Sequence, residues 1–326
     1  MSFAALRDRL PVLPSDGDAL EPWPRVGRGG VSFSDDLTLA GGERLGVRVR
    51  ITDRADGGYE IDLRDCDVDP SGRFGLLPPR ALVASVLALG HALGRPVHAG
   101  WAAAIELLTL PDTFIGSDEP DDLAAVALGM GRIYDAVLGA LANAWPGRVG
   151  AGSCSVGTIV ELRDGDRLVL TEVLPGGEGG HPDRPGASAW SGPILPSSWP
   201  DAPTIDGLLV EGERRAGSGG VGKHGGGDGI TRRYSFTRRM LACLAFDRVR
   251  NPPHGLDRAG PPRGTEVLLQ RSEDERPRAV EPWSIVELPA GARLTVHTCG
   301  GAGWGFPGYG EIEWDPSEWF GSKKDS

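Results

Sequence analysis

Three short stretches hold the groups best able to do chemistry. The first is GGEGGHPDRPG, residues 176–186, where Glu178, His181 and Asp183 stand among glycines. One imidazole nitrogen and two carboxylate oxygens suit a divalent metal, so His181 and Asp183 are candidate ligands. The competing reading is a polar surface loop. The second is GSGGVGKHGGGDG, residues 217–229. Its glycines can turn several backbone N–H groups into one cavity, as a carboxylate or an oxyanion requires. There Gly219, Gly220 and Gly226 would contact substrate, while Lys223, His224 and Asp228 supply charge and proton transfer. The competing reading is a β connection that only shapes the fold. The third is Cys154, in GSCSVG. A thiol among small residues at a strand start is a candidate nucleophile, against a buried inert cysteine. Ser153 and Ser155 have no readable general-base partner. His91 sits in an apolar segment and reads as a satisfied core or boundary histidine. His98, His254 and His297 follow no ligand spacing. Trp190, beside the first stretch, is a candidate apolar wall for a substrate, an interface residue or a core residue.

The second stretch also satisfies GxxxxGK, Gly217 to Lys223, and GxGxxG, Gly217 to Gly222. A phosphate loop needs a hydroxyl after the lysine and a helix whose N-terminus faces the phosphates. Here His224 follows Lys223, and GGGDG then ITRRYSF come after it. Glycines and a β-branched, aromatic run start a strand rather than a helix, so both nucleotide readings fail.

The elements that must position these groups are legible in outline. Residues 1–40 are rich in proline and glycine and read as an irregular extension. Val47, Val49 and Ile51, then Tyr59, Ile61 and Leu63, alternate with polar residues around a DRADGG turn, which is a β-hairpin pattern. Pro78-Pro79 opens a helix that Gly94 stops. A second helix carries Leu123, Val126, Met130, Ile133, Val137 and Leu141 at helical spacing. Residues 118–122 supply an acidic first turn. Beyond Gly157 the period becomes two: 157–161, 168–173, 230–236, 266–270, 284–288 and 294–298 read as strands. The fold class is therefore α+β, with central amphipathic helices on antiparallel sheet and a mainly β C-terminal half. An α+β region over 41–210 continues into a Gly-rich, mainly β region over 211–320.

Composition narrows the function classes. A net charge of −11 disfavours nucleic acid, and Arg232, Arg233, Arg238 and Arg239 read as solvated strand faces or ion pairs. The four cysteines are scattered without CxxC spacing, as expected of reduced thiols in a cytoplasmic protein. No leader pattern is visible, and the apolar run 82–93 is too short for a bilayer, so no membrane association is expected.

The run GSGGVGKHGGGDGITRRYSF resembles the glycine-rich signature of the hydantoinase B/oxoprolinase family. DRVRNPPHGLDRAGPPRGTEVLL and VELPAGARLTVHTCGGAGWGFP resemble the family's segments downstream of that signature, and WPGRVGAGSCSVGTIV resembles a segment upstream of it. The resemblance spans about residues 45–310. It implies a part in opening cyclic amides such as hydantoins or 5-oxoproline, or in ketone carboxylation. It also implies a hydantoinase A-like partner that binds the ATP, so ATP would enter only through that subunit, in a homo- or hetero-oligomer. Two features depart from the family. The Asn-Asp-Pro-Tyr and Gly-Thr-His-x-x-Asp segments that resemble its metal region are absent, and SAWSGPILPSSWPDAPTID replaces a His/Asn/Thr-rich stretch. These features leave two expectations. One is a compact enzyme acting on an amide, lactam or carboxylate-bearing small molecule, with no assigned cofactor beyond a candidate divalent metal. The other is a non-catalytic subunit of a larger hydrolase or ATP-dependent carboxylase.

Overall fold

The structure, a computed structural model, describes residues 11–14, 23–70, 72–116, 122–200 and 203–308. A first sheet holds strands β1 (Val31–Thr38), β2 (Arg44–Asp53), β3 (Tyr59–Asp62) and β4 (Ile105–Leu108), in that order. All its pairs are antiparallel except β3 with β4. Helices α1 (Pro78–Leu93) and α2 (Leu123–Ala144) pack together, and α2 also packs on β1 and β2. A second sheet is ordered β11 (Arg278–Ala279), β10 (Glu266–Gln270), β13 (Arg293–His297), β8 (Ile230–Phe236), β7 (Leu208–Arg214). A third is ordered β12 (Ser284–Leu288), β9 (Met240–Ala245), β5 (Thr158–Asp164), β6 (Arg167–Leu174). This is the expected α+β class.

The third sheet is apolar on both faces, and the period-two alternation of its strands decides which core each residue joins. Ile159, Val173, Cys243 and Ala245 join the helices and first sheet. Val160, Leu162, Leu174, Ala242 and Leu244 join β8, β10 and β13 in a sandwich core. A strand with two buried faces loses its polar alternation, which is why MLACLA, β9, escapes the strand pattern in the sequence.

Two sequence expectations change, and a third falls largely outside the described residues. The extension read as irregular over 1–40 contains β1, which pairs with β2 along its length. The acidic turn expected at 118–122 lies outside the described residues except for Asp122, the α2 N-cap. Helix α2 has no solvent face: every residue from Leu123 to Ala142 is buried. Its length and apolarity suit a membrane span, but the fold buries its apolar stretch throughout.

That enclosure buries charge. Arg132 of α2 donates to Asp35 of β1 (2.9 Å) and to Asp247. Arg248 donates to Asp35 (3.0 Å) and to Asp135 of α2 (2.6 Å). Ser155 Oγ also donates to Asp135 (2.9 Å), and Asn251 to Asp35 (2.8 Å). Three carboxyls face two guanidinium groups here, and burial holds the Asp135 carboxyl well above the usual carboxylate range.

Candidate functional site

The glycine stretches are assembled first, because they hold everything else. Segments around Gly152, Gly177, Gly219, Gly227 and Gly301 run side by side and bond to one another through their backbones. Gly177 N–H donates to Cys299 O (3.0 Å), Gly227 N–H to Glu178 O (2.8 Å) and Gly301 N–H to Gly227 O (2.9 Å). Gly220 N–H donates to Gly301 O (2.8 Å), Gly180 N–H to Ala302 O (2.8 Å) and Ala302 N–H to Gly152 O (2.9 Å). A β-carbon on Gly177 would collide with Gly227 O, and one on Gly301 with Glu178 O. Such close backbone approach admits glycine alone.

This bundle accounts for the 217–229 stretch. Asp228 Oδ1 accepts from the N–H groups of Ser218 (2.8 Å) and Gly219 (2.9 Å), closing the loop on itself. His224 exchanges backbone hydrogen bonds with Trp304 (3.0 and 2.9 Å), and Lys223 N–H donates to Gly305 O (2.9 Å). Gly219, Gly220 and Gly226 pack against backbone. The stretch leads into β8, not into a helix, so it has no helix N-terminus of its own to offer phosphates. Cys154 is buried in the same region. A hydrogen bond with Cys299, then burial, holds its thiol well above its ordinary range, so the thiolate a nucleophile needs is disfavoured.

Instead, the bundle presents Glu178 and His181 to the end of α1. Gly94, with φ 63° in the left-handed region, stops α1 one turn beyond His91. His91 Nδ1 is hydrogen-bonded to the Tyr134 hydroxyl of α2. Its ring stacks on that of His181 at 5.6 Å and 22°, with the Trp190 ring 6.3 Å away. His181 Nε2 lies 2.9 Å from Glu178 Oε1 and 3.0 Å from Arg184 Nη2. Arg184 holds both Glu178 oxygens at 2.8 Å, and Ala187 N–H donates to Oε2 (2.9 Å). Burial alone would raise the Glu178 carboxyl; these bonds outweigh it and hold the group well below the usual carboxylate range. Burial pushes His91 down to about 4, so its imidazole is neutral.

A cavity of about 950 Å³ opens over this cluster. Its lining includes His91, His181, Arg95, Arg148, Arg184 and Trp190, and Asp183 is the one carboxylate among its described lining residues. A smaller cavity of about 340 Å³ lies over Asp35 and His254, but its charges pair with each other: Arg44 with Asp36, Arg48 with Asp67, Arg248 with Asp35. Of the sequence candidates, the structure therefore brings His181, Asp183 and Trp190 to one cavity and places Lys223, His224, Asp228 and Cys154 in the bundle. His91, Tyr134, Arg148 and Arg184 are additions. The signal for His91 was a lone imidazole in an apolar helix; nothing in sequence spacing connects it to His181.

The profile of the hydantoinase B/oxoprolinase family matches residues 4–307, nearly the whole chain. The chain belongs to this family. It is 28% identical over 314 residues to 5-oxoprolinase 1 of Arabidopsis thaliana, covering 92% of this chain and 24% of that protein. It is 25% identical over 221 residues to an uncharacterized protein of Schizosaccharomyces pombe, covering 64% of this chain and 17% of that one. Two solved structures share the fold, each with a TM-score of 0.68 over 85% of this chain. They are acetone carboxylase (13% identity, 46% of its chain) and the ATP-dependent caprolactamase of Pseudomonas jessenii (18%, 52%). The chain thus spans about a quarter or less of the curated relatives and about half of the solved chains.

Proposed function

We propose that the chain takes part in opening, closing or acylating a small amide or lactam that carries a carboxylate, and that the cavity at the end of α1 receives it. The lining of that cavity carries the proposal: Arg148 has no carboxylate partner among the described residues, and Arg184, though bound to Glu178, is half exposed in the same lining, which favours an anion. The guanidinium groups hold the substrate carboxylate, Trp190 packs on its apolar part, and the His91–His181 pair faces the amide. A 5-oxoprolinase among the relatives supports this substrate class. ATP enters through a hydantoinase A-like partner, in keeping with a signature loop that offers phosphates no helix N-terminus. The family's metal segments are absent from the sequence, and no step is assigned to a metal at that place.

Calorimetric titration of 5-oxoproline and its uncharged amide analogue, with and without an A-type subunit, tests the reading. Binding of the acid should exceed that of the neutral analogue and fall about tenfold or more in Arg148→Gln. Equal binding of both, or binding of neither in either state, overturns it. A second reading, a non-catalytic subunit of a larger assembly, is favoured by the partial coverage of the relatives named above. Turnover by the isolated chain would exclude it.

A further inference from the structure

We infer that His91, Glu178 and His181 form a binding site for a divalent transition ion of the zinc class, with Arg184 as the cation that occupies it when metal is absent. One ligand atom from each of the three residues lies within 4.8 Å of the other two. The donor set is two imidazoles and a carboxylate, borderline ligands that suit zinc or cobalt(II) better than magnesium or calcium. Tyr134 engages His91 Nδ1, which fixes the ring as outer partners of metal-bound histidines do and leaves Nε2 to bind.

The contacts of His181 are a second, independent observation. Its Nε2 faces an acceptor, Glu178 Oε1 at 2.9 Å, and a donor, Arg184 Nη2 at 3.0 Å. A single ring nitrogen cannot donate to the first while accepting from the second. An ion between Nε2 and Oε1 removes that conflict, because both atoms then act as electron-pair donors. Arg184 can yield: its side chain is 48% exposed, while that of Glu178 is 6% exposed and cannot be left uncompensated. The ion replaces the guanidinium on Oε1, and Oε2 keeps its bond from Ala187 N–H. Three protein ligands leave a fourth position open toward the cavity, as in catalytic zinc sites.

The site differs from the family's Gly-Thr-His-x-x-Asp segment, and metal binding does not depend on the substrate proposed above. The test uses the full purified chain and cobalt(II) alone. We expect tetrahedral d–d bands that saturate at one equivalent and that zinc displaces. His91→Gln and His181→Gln should each weaken binding at least tenfold with unchanged circular dichroism. Arg184→Gln should retain the bands, and zinc should raise its melting temperature more than that of the parent, since the metal then supplies the missing cation. Absence of bands together with absence of stoichiometric zinc by mass spectrometry overturns the inference. So does undiminished binding in the His91→Gln/His181→Gln double variant.

Discussion

Gly301 and Glu178 occupy one another's space. A β-carbon at Gly301 would overlap the Glu178 carbonyl, and that carbonyl is bonded to Gly227 N–H, whose own carbonyl accepts from Gly301 N–H. The backbone of the signature stretch therefore sets the height and tilt of the Glu178 carboxylate and, three residues on, of His181.

Gly301→Ala should cost several kcal/mol in urea unfolding, at or above the ~1–3 kcal/mol usual for overpacking, because backbone on both sides must move. Gly225→Ala, in the same glycine run, should be nearly neutral. The nearest atom its β-carbon would meet is Gly220 O at 3.6 Å. Equal losses in the two would refute the packing account.

Arg132→Met should destabilise by about 3–5 kcal/mol, since it removes the guanidinium paired with buried Asp247 and leaves Asp35 to Arg248 and Asn251. Pairing it with Asp247→Asn should recover part of the loss, which a double-mutant cycle reads directly.

His254 gives stability an acid limb. It is half-buried against the Phe33 ring; desolvation lowers its pKa, with Asp35 acting to raise it and Arg132 to lower it. The neutral form is therefore the folded form. Its contribution is whole above the unfolded pKa of about 6.5 and fades as pH falls below that. The melting temperature should drop between pH 7.5 and 5.5, and less so in His254→Gln.

All four cysteines are buried. Ellman's reagent should find them slowly in the native chain and fully after denaturation, and Cys154→Ala should keep whatever activity the assembly shows. Fast native labelling of Cys154 would restore it as a nucleophile candidate.

How far the sequence reaches depends on the surfaces each element presents to water. The β2–β3 hairpin and α1 were readable because their patterns contrast two environments: alternating residues in one, a proline start and glycine stop in the other. β9 is enclosed on both faces, so period carries less information there, whereas α2 keeps a readable helical spacing although it is buried from Leu123 to Ala142. In α2 the charges Arg132 and Asp135 interrupt the apolar run, and only the structure shows that they belong to a buried network. The 217–229 stretch carried the family resemblance, and the structure places it in the glycine bundle, apart from the cavity at the end of α1. Its residues hold the glycine bundle together through backbone bonds, and the side chains that line the cavity come from α1 and the residues after it, from Tyr134 and Arg148, and from 181–193. No local spacing encodes the meeting of His91 with His181, which the docking of α1 on the glycine bundle creates.

The glycine bundle also leaves a calorimetric imprint. It buries peptide groups instead of hydrocarbon, and exposing peptide surface lowers the heat capacity of unfolding where apolar exposure raises it. Ordering so many glycines costs more chain entropy than ordering other residues, and the return is largely hydrogen-bond enthalpy. A chain of this length should therefore unfold with a heat-capacity increment below the ~12–15 cal/mol/K per residue of ordinary domains, giving a flatter stability curve that tolerates cold better than a hydrocarbon core alone would allow.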